Sequence, residues 1–280
     1  MGPRWARNGS FLVYRRLNQD VPAFNRFLRE AATRLSATTM PGLTPERFGA
    51  MVVGRWRSGA PLLRAIQNDD VDLASSKASN NDFDFLNPGS AADQFPPALA
   101  DPAGEVCPAA AHIRKVNPRS VPTDQGGEVR TLVRRILRRG IPFGDPLPIS
   151  SENDPANADR GLLFVSYQAS IQNQFEFLQS AWANSEGRPT SQLTGNAGHD
   201  LIIGQNPASD RSRFILVGVD QTRVDAPPHI EWVYPTAGGY FFSPSRTALS
   251  IVLGSSHQSI GPSSSKPRTG WRARKSTRLA

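Results

Sequence analysis

The chain has 280 residues, a formal net charge of +8 at pH 7 and a sequence pI near 10.3. This length suits one large domain or two small ones, and no stretch is apolar for long enough to cross a bilayer. The start of the chain lacks the pattern of a secretory signal. A single cysteine, Cys107, excludes an intrachain disulfide, and four scattered histidines do not match the common zinc motifs.

The positive charge is concentrated at the end of the chain. Residues 256–280 carry six cations and no acid, which leaves +2 for residues 1–255. The six cations are Lys266, Arg268, Arg272, Arg274, Lys275 and Arg278. Such a composition is typical of a solvated, disordered tail, and we predict one for residues 256–280. Binding of nucleic acid through this tail is the less favoured alternative.

Regular elements open the chain. Residues 10–17, SFLVYRRL, are rich in aromatic and branched side chains and predict a strand. A helix should follow from Asp20, because apolar residues recur after it with helical spacing. A second helix is predicted at TPERFGAMVV, with Thr44 as its cap. Residues 58–119 then show neither period, and so long an irregular insert is usually functional or disordered.

The second half of the chain predicts mostly strands. Residues 128–144, EVRTLVRRILRRGIPFG, indicate a strand that ends in a turn, and residues 161–168, GLLFVSYQ, indicate a buried strand. Residues 170–185 predict a helix, and SRFILVG, HIEWVYP and the stretch around GGYFF predict further strands. This order indicates an α+β domain, over residues 8–255, in which helices cover one face of an antiparallel sheet.

The stretch CPAAAHIRKVNPR surrounds one histidine, His112, with small residues and cations. The three alanines before it leave room for a planar group beside the imidazole. Arg114, Lys115 and Arg119 could pair with carboxylates such as those of haem, and a haem iron needs only one protein imidazole. A basic loop that faces solvent is the alternative.

Two further residues are candidates for chemistry. Arg138 lies in a run of cations within a predicted strand, where alternate side chains point to opposite faces, so that some must point inward. An inward arginine needs an anion or a developing negative charge, whereas a charged strand edge in solvent is the alternative. Asp200, in GHDLIIGQ, could accept the free imidazole N–H of a ligating histidine.

Together with other stretches in the same order from Trp5 to Leu249, these residues resemble the dye-decolourising peroxidases, most closely the fungal type. The matching stretches are WARNGSFLVYRRLNQDVPAFNRFL, VGRWRSGAPL, NNDFDF, CPAAAHIRKVNPR, ILRRGIPFG, GLLFVSYQASIQNQFEFLQSAWAN, HDLIIGQ and PTAGGYFFSPS. The family consists of haem b peroxidases built from two ferredoxin-like α+β domains of the dimeric α+β barrel type. The resemblance implies that this chain is the C-terminal, haem-binding domain, with residues 58–119 as a long insert.

The resemblance also implies a cofactor, haem b (iron protoporphyrin IX), and roles for named residues. His112 would be the proximal iron ligand, with Asp200 behind it. Arg138 would be the distal arginine that helps hydrogen peroxide to bind and its O–O bond to break. Phe164 and Phe175 would pack the haem pocket, and we count Arg114 among the cofactor-binding residues.

Two positions and one missing motif bear on electron and proton transfer. Trp182 aligns with a surface tryptophan that relays electrons from bulky dyes in some members, although it also fits the buried stripe of its helix. A tyrosine that some members use for this purpose is Phe143 here, which cannot form a phenoxyl radical. The family's G-x-x-D-G motif, whose aspartate moves the peroxide proton, is absent from the sequence. We therefore expect the N-terminal domain of the family to be missing.

The sequence thus predicts a haem peroxidase that uses hydrogen peroxide to oxidise dyes, phenols or similar one-electron donors. The alternative is a catalytically impaired haem-binding or structural fragment that lacks the distal aspartate. No membrane partner is expected, and the oligomeric state is left open. The family resemblance favours secretion.

Overall fold

The structure, a computed structural model, describes residues 3–89, 93–147, 158–189, 198–205 and 212–254. The described residues fall into two compact units, one within Ser10–Ser243 and a smaller one that combines residues 3–9 with residues 244–254. Within the smaller unit, a short 3₁₀ helix, Arg4–Ala6, contacts a helix at Ala248–Leu253. The predicted tail lies outside the described residues. Among the helices of the described ranges, none is both long and apolar enough to span a membrane.

A five-stranded antiparallel sheet forms one layer of the large unit. Its strands are β1 (Ser10–Gln19), β2 (Leu137–Arg138), β3 (Ile141–Phe143), β4 (Gly161–Gln168) and β7 (Val233–Ser243). Strands β1 and β4 are central, β7 pairs with the other side of β1, and β2 and β3 both pair with the other side of β4. The strands β5 (Phe214–Val217) and β6 (Thr222–Asp225) form a separate hairpin.

Helices form a second layer. They are α1 (Val21–Ser36), α2 (Pro45–Val53), α3 (Val71–Ser75), α4 (His112–Val116), α5 (Glu128–Leu132) and α6, which consists of two π-helical segments, Ile171–Glu176 and Leu178–Ala183. Asp20 and Thr44 cap α1 and α2, since each side chain accepts a hydrogen bond from the backbone N–H three residues further on. These two caps and helices are confirmed as predicted.

Helices α2 and α4 lie close together at Gly54, which ends α2. Gly54 has a φ of 92°, and a Cβ built there would lie 2.3 Å from Cγ1 of Ile113. Only glycine suits this position, because the left-handed backbone and the close approach both exclude a side chain. The position of α4, and with it that of His112, therefore depends on the end of α2.

The main hydrophobic cluster lies in the helical layer. It joins α1, α2, the irregular segment 56–111 and the hairpin β5–β6 to Trp232. Among the described residues, no side chain of the five-stranded sheet belongs to this cluster. The sheet and the core are therefore distinct layers.

The described parts of the predicted insert, residues 58–89 and 93–119, contain little regular structure but pack into the core. They supply buried apolar side chains such as Leu62, Leu63 and Phe85 to the core. Two buried arginines, Arg64 and Arg114, each donate to three backbone carbonyl groups of this segment. Their guanidinium groups satisfy carbonyls that helix or strand hydrogen bonds would otherwise satisfy.

The strand predicted at residues 128–144 is wrong over its first half. This segment begins with helix α5, and only β2 and β3 at its end pair with β4. The apolar residues Val129, Leu132 and Val133 recur with helical spacing, which the strand interpretation overlooked.

Two further differences concern the end of the sheet. The strand predicted from residue 229 begins at Val233 and runs through GGYFF, so that two predicted segments form one strand, β7. Strand β6 was not predicted, because its sequence TRVD has only one apolar residue, Val224, which is buried.

Candidate functional site

A cavity of about 320 Å³ lies between the sheet and the helical layer of the large unit. The sheet contributes Arg15, Leu17, Gln19, Arg138, Leu162, Phe164, Val233 and Pro235. Side chains from α4, α6 and the connecting segments complete it, among them His112, Ile113, Val116, Phe175, Leu178 and Gln179. The volume is at the lower end of the range of ligand pockets.

The strand register explains why these sheet residues share one face. In an antiparallel sheet, directly paired residues lie on the same face. Arg15 pairs with Phe164, and Arg138 pairs with Ser166, two positions along β4 from Phe164. Alternation along the strands therefore directs Arg138 to the cavity, one of the two alternatives that the sequence left open.

His112 is the first residue of α4, and it lines the cavity with a side chain that is 18% exposed. Its Nδ1 lies 2.7 Å from Oδ2 of Asp200. Because an ionised carboxylate can only accept, Nδ1 carries the hydrogen in this contact, and in the neutral form of the imidazole the lone pair is therefore on Nε2. The sequence prediction that placed Asp200 behind His112 matches this geometry.

Asp200 is fully buried and is itself fixed in place. Its Oδ1 accepts hydrogen bonds from the backbone N–H groups of Ile202 (2.9 Å) and Ile203 (3.1 Å). Burial acts to raise the pKa of this carboxyl, but the charge and hydrogen bond of His112 and the two N–H groups outweigh it, so that the pKa of Asp200 is lowered. A carboxylate of this kind fixes the tautomer and the orientation of the imidazole.

Helix α4 separates His112 from Arg114. Positions two apart on a helix point to nearly opposite sides. Arg114 is 2% exposed, donates to the carbonyls of Asp101, Pro102 and Cys107, and has an ion pair of 3.3 Å with Asp101. The assignment of Arg114 to the cofactor is therefore corrected: its guanidinium is committed to the insert and does not line the cavity.

Five arginines do line the cavity: Arg15, Arg55, Arg119, Arg135 and Arg138. No acidic residue is among its lining residues in the described part of the chain. A cavity that is lined by cationic and apolar side chains favours an anionic ligand.

Arg55 and Arg119 lie side by side at the ring of Phe83. Their guanidinium carbons are 5.2 and 3.6 Å from the centre of this ring, and both donate to Oδ1 of Asn81. Burial, and then the charges of Arg55 and Arg135, lower the pKa of Arg119 to about 10. Burial also lowers the pKa of Arg55, and the charge of Arg138 adds to this effect. The hydrogen bonds to Asn81 and the contacts with Phe83 thus hold the two guanidinium groups together despite the repulsion between their charges.

Phe164 and Phe175 both line the cavity, as the sequence analysis expected. Their ring centres are 5.9 Å apart, and the guanidinium of Arg15 lies 4.8 Å from the ring of Phe175. The two rings give this wall a flat, apolar surface.

Trp182 does not reach the surface. Its side chain is fully buried, and its ring packs edge-on against Phe177 at 5.1 Å. A bulky dye cannot touch this ring, so that the structure contradicts a role as a surface relay and favours the alternative of a core residue. Phe143 lies on β3 beneath the guanidinium of Arg16, at 4.4 Å.

Sequence reasoning did not single out Arg15, Arg55 or Arg135. Arg15 could have been found from its alternation with Val13 and Leu17 on β1. Arg55 lies in VGRWRSGAPL, one of the stretches that resembled the family. Within the described ranges, no group of three or more His, Cys, Asp or Glu side chains could hold a metal ion.

Comparisons with known proteins agree with this site. The family model for the C-terminal part of Dyp-type peroxidases matches residues 49–195, just over half of the chain. A dye-decolorizing peroxidase of Mycetinis scorodonius is 37% identical over 269 residues, which cover 90% of this chain and 47% of that protein. The chain thus spans about half the length of the curated relatives it matches.

Solved structures show the same relation. An ancestral D-type dye decolorizing peroxidase is 40% identical with a TM-score of 0.72, and covers 90% of this chain with 53% of its own. A fungal DyP-type peroxidase from Auricularia auricula-judae is 32% identical with a TM-score of 0.69, over 90% of this chain and 55% of its own. The predicted α+β, ferredoxin-like fold is confirmed. The chain therefore belongs to the Dyp-type peroxidase family and matches the C-terminal part of its members.

Proposed function

We propose that this chain is the haem-binding part of a peroxidase that uses hydrogen peroxide to oxidise dyes, phenols or similar one-electron donors. One observation carries the proposal: the imidazole of His112, oriented by a buried carboxylate, faces a cavity whose sheet wall carries Arg138. The curated relatives from Mycetinis scorodonius and Auricularia auricula-judae are named dye-decolorizing peroxidases, and the chain spans about half of each. Secretion, which the resemblance implied, stays a prediction.

The cavity fits haem b in two respects. Haem b carries two carboxylates on a flat apolar ring, and the cavity combines five arginines with apolar and aromatic walls. Arg55 and Arg119 would hold the carboxylates, because both guanidinium groups line the cavity and lie together at the ring of Phe83. Phe164 and Phe175 would pack against the ring.

Nε2 of His112 would be the ligand to the iron, since Nδ1 already donates to Asp200. Asp200 would hold the imidazole in this tautomer and orientation through its hydrogen bond to Nδ1. Bound haem would supply the two-electron reduction of peroxide and the one-electron oxidation of donors.

Arg138 would act on the peroxide. Its guanidinium is a cation that offers several N–H donors, so that it could stabilise negative charge on an oxygen as the O–O bond breaks. Because a guanidinium has no acceptor atom, it would not serve as a proton shuttle.

The second candidate is a haem-binding chain with impaired turnover. It is favoured because no acidic side chain of the described residues lines the cavity, and the sequence has no G-x-x-D-G motif. Neither Asp124 nor Asp145 is a lining residue. The loss of a positioned acid or base costs on the order of 10²–10⁴ in rate.

Reconstitution with hemin tests the proposal. We expect the wild-type chain to shift the Soret band and His112→Ala to lose this shift. His229→Asn is the matched control, because His229 is exposed and its positive φ of 61° suits asparagine. A wild-type chain without a shift, or a shift that His112→Ala leaves unchanged, contradicts the proposal.

A peroxide-dependent dye assay at equal haem occupancy separates the two candidates. Turnover well above that of free hemin supports the peroxidase. Haem binding without such turnover supports the impaired chain.

A further inference from the structure

Lys115 is a fully buried lysine on the helix that carries His112. It lies three residues after His112 on α4, so that the two side chains leave neighbouring sides of the helix. The imidazole lines the cavity, whereas Lys115 is not one of its lining residues. A lysine is almost never fully buried unless protein acceptors bind its ammonium group. The acceptors of Lys115 therefore indicate what this side chain does.

Two backbone carbonyl groups accept hydrogen bonds from the ammonium group. Nζ of Lys115 lies 2.6 Å from the carbonyl oxygen of Arg188 and 2.5 Å from that of Gly198. Both distances are short, as expected for hydrogen bonds from a donor that carries a charge. One side chain of α4 thus binds the backbone at two positions of the segment that leads to Asp200.

The backbone next to Asp200 is held from other directions as well. The N–H of His199 donates to the carbonyl group of Phe214 on β5 (2.7 Å). The N–H of Asp200 donates to the carbonyl group of Ala183 at the end of α6 (3.2 Å). The hairpin and α6 thus hold N–H groups of this segment, and Lys115 on α4 holds the carbonyl group of Gly198, two residues before Asp200.

Helix α4 therefore contacts this short segment at two points. One is the hydrogen bond from Lys115 to the carbonyl group of Gly198. The other is the contact of 2.7 Å between Nδ1 of His112 and Oδ2 of Asp200. A single contact fixes a distance but leaves an angle free, whereas two contacts between the same two segments fix both. The angle matters because a hydrogen bond weakens steeply as it departs from a straight line.

We propose that Lys115 is a positioning residue for the pair of His112 and Asp200. By holding the carbonyl group of Gly198 against α4, Lys115 keeps the carboxylate in line with Nδ1. The hydrogen of the neutral imidazole then stays on Nδ1, and the lone pair is on Nε2. This inference rests on the proposed function in one respect, since Nε2 is the atom that would bind the iron.

A lysine with a purely structural role is the alternative. Such a residue would stabilise the fold by satisfying two carbonyl groups and would leave the imidazole of His112 unaffected. Arg64 provides the comparison, because it is also buried and donates to the carbonyl groups of Ser79 and Pro96 in the insert. Arg64→Met and Lys115→Met each remove a buried cation and its hydrogen bonds to the backbone, so that Arg64→Met is the matched control.

The tautomer of His112 gives a direct readout in the haem-free chain. Long-range ¹⁵N–¹H spectra of the histidine-labelled chain, at about pH 8 where a free imidazole is neutral, distinguish a hydrogen on Nδ1 from one on Nε2. The spectrum of His112→Ala assigns the signals. We expect Lys115→Met to lower the ratio of the Nδ1–H to the Nε2–H form by about fivefold or more, the effect of one lost hydrogen bond on an equilibrium. Arg64→Met should keep the wild-type ratio.

Lys115→Gln makes a milder change at the same position. Its amide keeps N–H donors, but its side chain is one bond shorter, so that the carbonyl group of Gly198 must shift or lose its hydrogen bond. We expect a smaller decrease in the same ratio. Far-ultraviolet circular dichroism shows which variants fold, and Lys115→Gln decides the question if Lys115→Met does not fold.

Three outcomes would overturn the inference: a wild-type ratio in a folded Lys115 variant, an equal decrease in Arg64→Met, or a wild-type His112 with its hydrogen mainly on Nε2. The measurements contain no hemin. A failure here therefore leaves the Soret experiment unaffected, and a failure to bind hemin leaves the tautomer ratios unaffected.

Discussion

The two faces of the five-stranded sheet place arginine side chains in different surroundings. Arg15 and Arg16 are neighbours on β1, and Arg15 lies over Phe175 in the cavity. Arg16 lies on the opposite face of the sheet, called the outer face below, and is paired with Asp159. No acid of the described residues lines the cavity. Alternation along a strand therefore separates an arginine that lines the cavity from one that is paired with an acid. The partner on each face determines which interactions the guanidinium can make.

The layer behind each face also differs. The cavity face looks onto a helical layer that contains the main core, and the sheet contributes no described residue to that core. The outer face carries apolar side chains such as Leu12 and Phe241 together with the ion pair of Arg16. The sheet thus depends on what fills the cavity and on what covers the outer face, and the following changes are expected to separate these contributions.

The largest effect is expected from the buried ion pair behind the cavity. Arg114→Met removes the counter-charge of the buried Asp101 carboxylate and one donor from each of three carbonyl groups, which should lower the free energy of unfolding by about 3–5 kcal/mol. Arg16→Met on the outer face breaks a largely exposed ion pair and should leave the free energy of unfolding nearly unchanged. Urea unfolding followed by circular dichroism measures both, and equal shifts would contradict the contrast.

Catalysis should distinguish the faces almost as strongly. Arg138→Leu is expected to lower peroxide-dependent turnover by about 10²–10³-fold at equal haem occupancy, because a charged donor toward the reacting oxygen is lost. Arg139→Leu is the control: Arg139 is exposed and does not line the cavity, and its backbone N–H bond to Val165 does not need its side chain. A similar loss in both variants would remove the special role of Arg138.

Filling the cavity should stabilise the fold. Since hemin would join the sheet to the helical layer, a free concentration of 100 times its Kd should add about 2.7 kcal/mol to the free energy of unfolding. Thermal unfolding with and without hemin measures this change for wild type and for His112→Ala. Equal stabilisation of the two at the same hemin concentration would show that binding does not depend on the imidazole.

A smaller effect is expected at high pH from Cys107, which lies behind α4. Burial raises the pKa of this thiol from 9.0 to about 12. The folded chain therefore keeps the proton that the unfolded chain releases, so that the thiol's contribution is intact below pH 9 and is lost as pH rises from 9 toward 12.

Relative to Cys107→Ala, wild-type stability should fall by about 1.4 kcal/mol per pH unit in this window. Urea titrations at several pH values give the two slopes. Parallel slopes would mean that the thiol ionises as readily in the folded chain as in the unfolded one.

Local signals carried most of the successful predictions. Helices α1 and α2 were predicted because their caps and apolar spacing are local properties of the chain. Alternation along a strand, also a local rule, indicated that some cations in the run around Arg138 point inward, but it did not decide which ones. Helix α5 was missed because its apolar residues also fit a β-rich run, although their spacing was helical.

Other parts of the site depend on contacts that no local pattern reveals. Arg55 and Arg119 are 64 positions apart in the chain and meet at Asn81 and Phe83. The direction of Arg114 depends on which side of a five-residue helix faces the insert. The burial of Trp182 was one of two readings of its helix, and only tertiary packing decided between them.

The insert shows that a chain can be fixed in place without repeating its backbone geometry. Several of its carbonyl groups accept hydrogen bonds from the guanidinium groups of Arg64 and Arg114, and its apolar side chains contribute to the core. For anyone who wishes to make a smaller version of this protein, the longest apparent loop is thus the worst place to cut. Shortening the insert would remove residues that pack against α4, the helix that carries His112. Shortening a tight turn of the sheet would leave those contacts in place.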